Sequence, residues 1–209
     1  LDCADLLKTV DVVYHQAAQA GVRASWGKTF NLYTDRNINA TQVLLEAAKD
    51  SPQLQRFVFA SSSSVYGNAE TLPTSEAICP QPVSPYGITK LAAERLCLLY
   101  HQNFGVPTVG LRYFTVYGPR QRPDMAFNRF FQCVLQQQPI DIYGDGKQTR
   151  DFTFISDAIA ANIAAAEATG VAGEVFNIGG GSRVSLADVI DTIEQIVEEM
   201  GGGVPDGGT

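Results

Sequence analysis

Between residues 10 and 114 short apolar runs alternate with longer helical patterns. VDVVYH (10–15), RFVFAS (56–61) and TVGLRYF (108–114) are rich in β-branched and aromatic residues and read as strands. NINATQVLLEAAKD (37–50) and PYGITKLAAERLCLLYHQNFG (85–105) carry apolar residues at helical spacing, the second closing on a glycine. Strands separated by helices join in parallel, because the crossover is long enough to return the chain to the same edge. The order therefore predicts βαβ units around a parallel sheet, an α/β fold.

After Tyr117 the punctuation changes. GPRQRPDMA is an arginine- and proline-rich loop, followed by a helix to about residue 138, a short strand PIDIYG (139–144) and the turn GDGKQ. DFTFISD leads into the helix DAIAANIAAAEA, and EVFNIGG reads as one more strand. Ser185 and Asp188 form an S-x-x-D capping box that opens a final helix ending near Met200. The tail GGGVPDGGT has little to bury and reads as disordered. A doubly wound dinucleotide fold ordinarily opens on a strand, a glycine-rich turn and a helix N-terminus. No G-x-G-x-x-G or G-x-x-G-x-x-G occurs in the chain.

Composition narrows the partners. At 45% hydrophobic and 18% charged residues, 209 residues can bury a sizeable core. The net charge is −7 with scattered basic residues, which argues against nucleic acid. No apolar run reaches the roughly 18 residues of a membrane span. Cys3, Cys79, Cys97 and Cys133 form no metal-type pair, and with only His15 and His101 no zinc site is expected. Reduced thiols fit a cytoplasmic protein.

Tyr86 and Lys90, in SPYGITK, are four apart and share a helix face about 6 Å apart along the axis. A lysine charge there would stabilise a phenolate by about 3 kcal/mol at an effective dielectric near 20. That is roughly two pKa units, enough to bring a tyrosine toward neutrality. The spacing alone is a weak signal. FASSSSVYG (59–67) ends a strand in four hydroxyls, at the position where open α/β sheets hold ligands. The same serines can equally satisfy a turn. HQAAQAGVR (15–23) puts small residues after a strand, with His15 read as structural. Arg120, Arg122 and Arg150 can gather on phosphates or simply be solvated.

Taken in order, FASSSSVYG, SPYGITK, LRYFTVYGPRQRPDM, YGDGKQTRDFTFISD and EVFNIGGGSRVSL resemble the extended short-chain dehydrogenase/reductase family, in its nucleotide-sugar epimerase/dehydratase branch. The resemblance covers residues 10 to 198. AAQAGVRASW and TVYGPRQRPDMA are most similar to the UDP-glucuronate 4-epimerases of that branch. It implies a Rossmann-like doubly wound sheet in residues 1–120 and 149–180, and a smaller α/β nucleotide-sugar lobe in 121–148 and 181–209. It assigns Tyr86 as acid/base, Lys90 to the nicotinamide ribose and to the tyrosine, and Ser62 to the triad, with Ser63 its neighbour. It implies NAD as cofactor, against Ala17, Ala18, Gln19, Asn37, Tyr86, Lys90 and Phe114. Ser63, Ser64, Thr115, Arg122 and Arg150 are assigned to the UDP-sugar, and no metal is implied.

The implied reaction is 4-epimerisation of a UDP-sugar, UDP-glucuronate first, through a transient 4-keto intermediate, by a cytoplasmic homodimer. The related 4,6-dehydratases carry Asp-Glu where this chain has Ser63 and Ser64, and the decarboxylases keep a Glu at the place of Ser64. Both sister reactions are thereby disfavoured. UDP-galactose or UDP-N-acetylhexosamine epimerisation remains an alternative, as do another NDP-sugar dehydratase or decarboxylase and an NAD-sensing binding protein on the same fold. The family's glycine turn and the end of its sugar lobe would lie outside these residues, so the chain is expected to be a fragment that binds NAD weakly.

Overall fold

In the computed structural model, which describes residues 3–69, 71–142 and 144–201, the apolar runs pair as parallel strands. The chain runs α1 (Cys3–Leu7), β1 (Val12–His15), α2 (Phe30–Tyr33), α3 (Ala40–Lys49), β2 (Arg56–Ser62), α4 (Pro85–Phe104) and β3 (Thr108–Tyr113). It continues through β4 (Thr115–Tyr117), α5 (Ala126–Leu135), β5 (Thr149–Arg150), β6 (Phe152–Phe154), α6 (Ile155–Glu167), β7 (Val175–Ile178), β8 (Val184–Ser185) and α7 (Leu186–Glu199). Two units result, Leu1–Phe114 with Ser156–Ile178, and Thr115–Ile155 with Gly179–Thr209.

The first unit is a doubly wound, Rossmann-like layer structure. Its sheet has the order β1-β2-β3-β7, all parallel, with Ser62 opposite Tyr113 and Tyr113 opposite Ile178. Every residue of β2 is buried, because helices cover both sides. Phe57 and Phe59 pack with Leu45 and Ala48 of α3 and with Ala93 and Cys97 of α4. Val58 turns the other way, with Val109 and Leu111, onto Ala165 of α6. The alternation of one strand thus builds two apolar layers.

Helix α4 begins and ends on clear signals. Ser84 Oγ accepts from Gly87 N at 3.0 Å, Pro85 occupies the first turn, and Gly105 closes the helix in the left-handed region at φ 72. The helix expected from residue 37 starts earlier. Phe30–Tyr33 and Ala40–Lys49 are joined by a π-helical turn, Thr34–Asn39, and the buried Tyr33 anchors the added turn.

In the second unit β4 pairs in parallel with β6, and β5 antiparallel with β8. Phe130 of α5 packs on Val189, Ile190, Ile193 and Val197 of α7. The capping box is complete: Ser185 Oγ accepts from Asp188 N at 3.1 Å, and Asp188 Oδ2 accepts from Ser185 N at 3.3 Å. One expectation fails. No strand forms over Pro139–Ile142, where Pro139 lacks a donor and Ile140 is satisfied by packing on the α5/α7 core. The glycine-rich tail from residue 202 lies outside the described residues.

Candidate functional site

The parallel register brings the ends of β1, β2 and β3 to one edge of the sheet, and polar residues collect there. After β1 the chain runs out through Gln16, with Ala17 and Ala18 exposed. Gln19 is held by both of its backbone groups. Asn37 Oδ1 accepts from Gln19 N at 2.7 Å, and Asn37 Nδ2 donates to Gln19 O at 3.1 Å. The second proton of that amide goes to Thr89 Oγ1 at 3.0 Å, and Thr89 Oγ1 donates to Tyr86 O at 2.9 Å. Asn37 lies in the π-turn, where such distortions recur near functional sites.

His15 is buried at the end of β1, edge-on to Phe57 and tilted against Phe59. The hydroxyl proton of Thr41 goes to Asn37 O at 2.7 Å, so Thr41 accepts from His15 Nε2 at 2.8 Å. That bond assigns the ring proton to Nε2. Burial, followed by the charge of Lys90, brings the imidazole down to about 4 and keeps it neutral near pH 7. The structural role expected for His15 fits this geometry.

Lys90 follows Tyr86 by one turn of α4 and is only 3% exposed. Its Nζ sits 4.7 Å from the centroid of the Phe59 ring and forms no ion pair among the described residues. Burial pulls the ammonium down to about 8, with Cys97 and Glu94 opposing. The Tyr86 ring stands edge-on to Tyr33 at 6.3 Å, and Tyr33 donates its hydroxyl to Gly21 O at 2.8 Å.

Ser62 caps the short turn Ser63–Val65, accepting from Ser64 N at 3.2 Å. This turn lies against the start of α4, where a Cβ on Gly87 would come within 2.5 Å of Ser64 O. Glycine is what lets the serine turn and the Tyr86 turn meet. Phe114 follows β3, its N–H donating to Ile178 O at 3.0 Å. The first unit therefore joins Gln19, Asn37 and the Tyr86/Lys90 turn through hydrogen bonds, and the serine turn through packing.

Within the second unit, Thr115 N donates to Asp151 O at 3.1 Å, beside Arg150, whose Nη1 donates to Thr149 O at 2.9 Å. Arg122 is exposed in the loop before α5 and pairs with Asp124 at 3.0 Å. The sequence reading missed Thr41 and Thr89, whose signals are the i, i+4 spacing from Asn37 and the place of Thr89 between Tyr86 and Lys90. It also missed the buried ion pair of Glu94 with Arg112, at 2.6 Å.

The first unit thus sets a Y-x-x-x-K helix start beside the serine-rich end of a parallel strand, a Rossmann-like arrangement. Residues 2–179 match the NAD dependent epimerase/dehydratase family, and the chain belongs to that family. It is 52% identical over 195 residues to an uncharacterized UDP-glucose epimerase, YtcB, of Bacillus subtilis (strain 168), covering 93% of this chain and 61% of that protein. It is 40% identical over 190 residues to a UDP-glucuronate 4-epimerase of Thermodesulfobacterium geofontis, covering 90% and 58%. The fold superposes with a TM-score of 0.91 on UDP-glucuronic acid 4-epimerase from Bacillus cereus in complex with UDP-glucuronic acid and NAD, at 52% identity. That alignment covers 95% of this chain and 63% of the other. The chain thus spans about three fifths of the length of these relatives.

Proposed function

We propose that the protein is an NAD-dependent UDP-sugar 4-epimerase acting on UDP-glucuronate through a transient 4-keto sugar. The observation that carries this reading is a buried lysine without an ion-pair partner among the described residues, one helical turn after a tyrosine whose own turn packs on the serine turn. An ammonium held this way has its donors available for ribose hydroxyls. The exposed Ala17 and Ala18, and a Gln19 backbone immobilised by Asn37, leave room and a rigid wall beside it. These residues, with Phe114, fit a nicotinamide ribose. When bound, NAD supplies reversible oxidation at the sugar C4.

Tyr86 takes the C4 hydroxyl proton as general base and returns it as general acid. Ser62 donates a hydrogen bond to the C4 oxygen and orients it. Lys90 contributes positive charge that favours the phenolate. Ser63 and Ser64 are assigned to the uronate carboxylate, which their hydroxyls can hydrogen-bond; in the second unit Thr115, Arg122 and Arg150 are assigned to the nucleotide sugar, the arginines to its diphosphate. Ser63 and Ser64 leave no carboxylic acid for dehydration. The active form is a homodimer, to which the exposed Val43 of α3 and Leu99 and Phe104 of α4 offer an apolar surface. The protein acts in the cytoplasm, where its four unbridged cysteines stay reduced.

The test is incubation of the full-length protein with UDP-glucuronate, UDP-galactose and UDP-N-acetylglucosamine, with products followed by NMR. Formation of UDP-galacturonate without net consumption of NAD is expected. Turnover of only the neutral sugars would overturn the substrate assignment, and no turnover of any would overturn the activity.

A further inference from the structure

Behind the serine turn lies a fully bonded polar cluster that the proposed chemistry leaves unused. Glu94, 1% exposed, receives Arg112 Nη2 at 2.6 Å, Arg112 Nε at 2.9 Å and Ser61 Oγ at 2.5 Å. Arg112, 3% exposed, also donates Nη1 to Tyr66 OH at 2.7 Å and lies 4.8 Å over that ring. Tyr66 passes its own proton to Asn177 Oδ1 of β7 at 2.7 Å. Asn177 in turn donates to Thr74 O at 2.8 Å and to Glu76 at 2.7 Å.

Burying such a pair has a large desolvation cost, and apolar residues of similar volume often stabilise a core as well or better. Stability alone therefore does not account for it. Position does. Ser61 precedes Ser62, Tyr66 closes the turn that holds Ser63 and Ser64, and Glu94 is one helical turn beyond Lys90. Arg112 lies two residues before Phe114. Apolar contacts between α4 and β2 tolerate sliding along the helix axis, whereas a bidentate fork with directional bonds on both oxygens does not.

We infer that Glu94, Arg112, Tyr66 and Ser61 are positioning residues that fix α4 against the end of β2, setting the distance from Tyr86 to Ser62. The inference rests on the epimerase reading for its kinetic arm and on the fold alone for its second arm. Tyr66→Phe removes two hydrogen bonds, the one from Arg112 and the one to Asn177, without a charge change. The double variant Glu94→Met/Arg112→Met replaces the pair by apolar groups.

In the full-length enzyme, Tyr66→Phe is expected to lower kcat about tenfold, with KM for UDP-glucuronate within about twofold and Tm nearly unchanged. The double variant is expected to keep wild-type Tm yet lose at least about a hundredfold in kcat. Restoration of wild-type kcat in the double variant, or unchanged kcat in Tyr66→Phe, would overturn the inference, as would a kcat loss that merely follows a fall in Tm. The second arm needs no substrate. NMR of protein carrying 13C at the lysine ε-carbon should show the Lys90 midpoint, near 8 in the wild type, rising by at least about half a unit in Tyr66→Phe as α4 loosens and the ammonium hydrates. An unmoved midpoint would overturn the inference even with an inactive wild type, and an inactive wild type beside a moved midpoint would overturn only the epimerase reading.

Discussion

The two halves of α4 do different work with the same backbone. Its first ten residues bury Gly87, Thr89, Lys90 and Glu94, an unusual load of polar and charged groups. Its second half buries Cys97 and Tyr100 against Phe57, Leu45 and Val106, an ordinary apolar seam. The reason lies in the sheet. The first half faces the ends of β2 and β3, where Ser61 and Arg112 are available as partners, while the second half faces the starts of those strands. A charge tolerated at Glu94 would be unpaired two turns later. Buried polar groups and apolar packing are thus separated along one helix.

The largest way to break the first half is Tyr86→Phe. Removing one hydroxyl should cost at least about a thousandfold in kcat if Tyr86 is the acid/base, with Tm within a degree or two. A loss under tenfold, measured by steady-state kinetics on the full-length protein, would remove Tyr86 from that role.

Lys90→Met sharpens the contrast, because it should damage activity and improve stability together. The folded ammonium is held at about 8 against 10.5 when unfolded, so the unfolded chain binds more protons between those values. Stability therefore rises with pH across that window, and below pH 8 the buried charge costs about 3 kcal/mol. Urea unfolding should show the variant more stable than wild type by up to that amount at pH 7, with the gain vanishing toward pH 10.5. His15 adds an acid limb of the same sign. Its imidazole is depressed from 6.5 to about 4, so stability falls as pH drops through that interval. His15→Gln should flatten that limb, losing about 3 kcal/mol of acid sensitivity.

Much of this division was legible in the residues themselves. The Ser84-Pro85 start, the Gly105 stop and the strand-helix alternation are local signals, and the structure follows them. The serine-rich end of β2 and the Tyr86/Lys90 spacing are local too. What stayed hidden depends on partners far apart in the chain. Glu94 and Arg112 read as one helix position and one strand position until α4 packs over the paired Ser61 and Arg112 of β2 and β3. Asn37 looked like a helix start, but a π-turn aims its amide at Gln19 and Thr89. PIDIYG alternates like a strand, yet Ile140 finds its burial in a helix pair. Periodicity reports which residues want burial and leaves open which element provides it.

The smallest effects come from two glycines at opposite ends of α4. In a helix Ala is normally better than Gly by up to about 1 kcal/mol. Gly87→Ala should nonetheless destabilise, by about 1–3 kcal/mol, because its Cβ would lie 2.5 Å from Ser64 O and 2.9 Å from Pro82 Cβ. Since backbone and a proline ring stand in the way, the serine turn must shift, and kcat should fall with it. Gly105→Ala meets nothing within 4 Å. Its only cost is the left-handed φ of 72, about 1 kcal/mol, read as a small drop in Tm. Turnover should be untouched, because the far end of α4 holds no site residue. If Gly105→Ala lowered kcat as much as Gly87→Ala, the helix would be acting as one rigid lever, and the separation of its two halves would not hold.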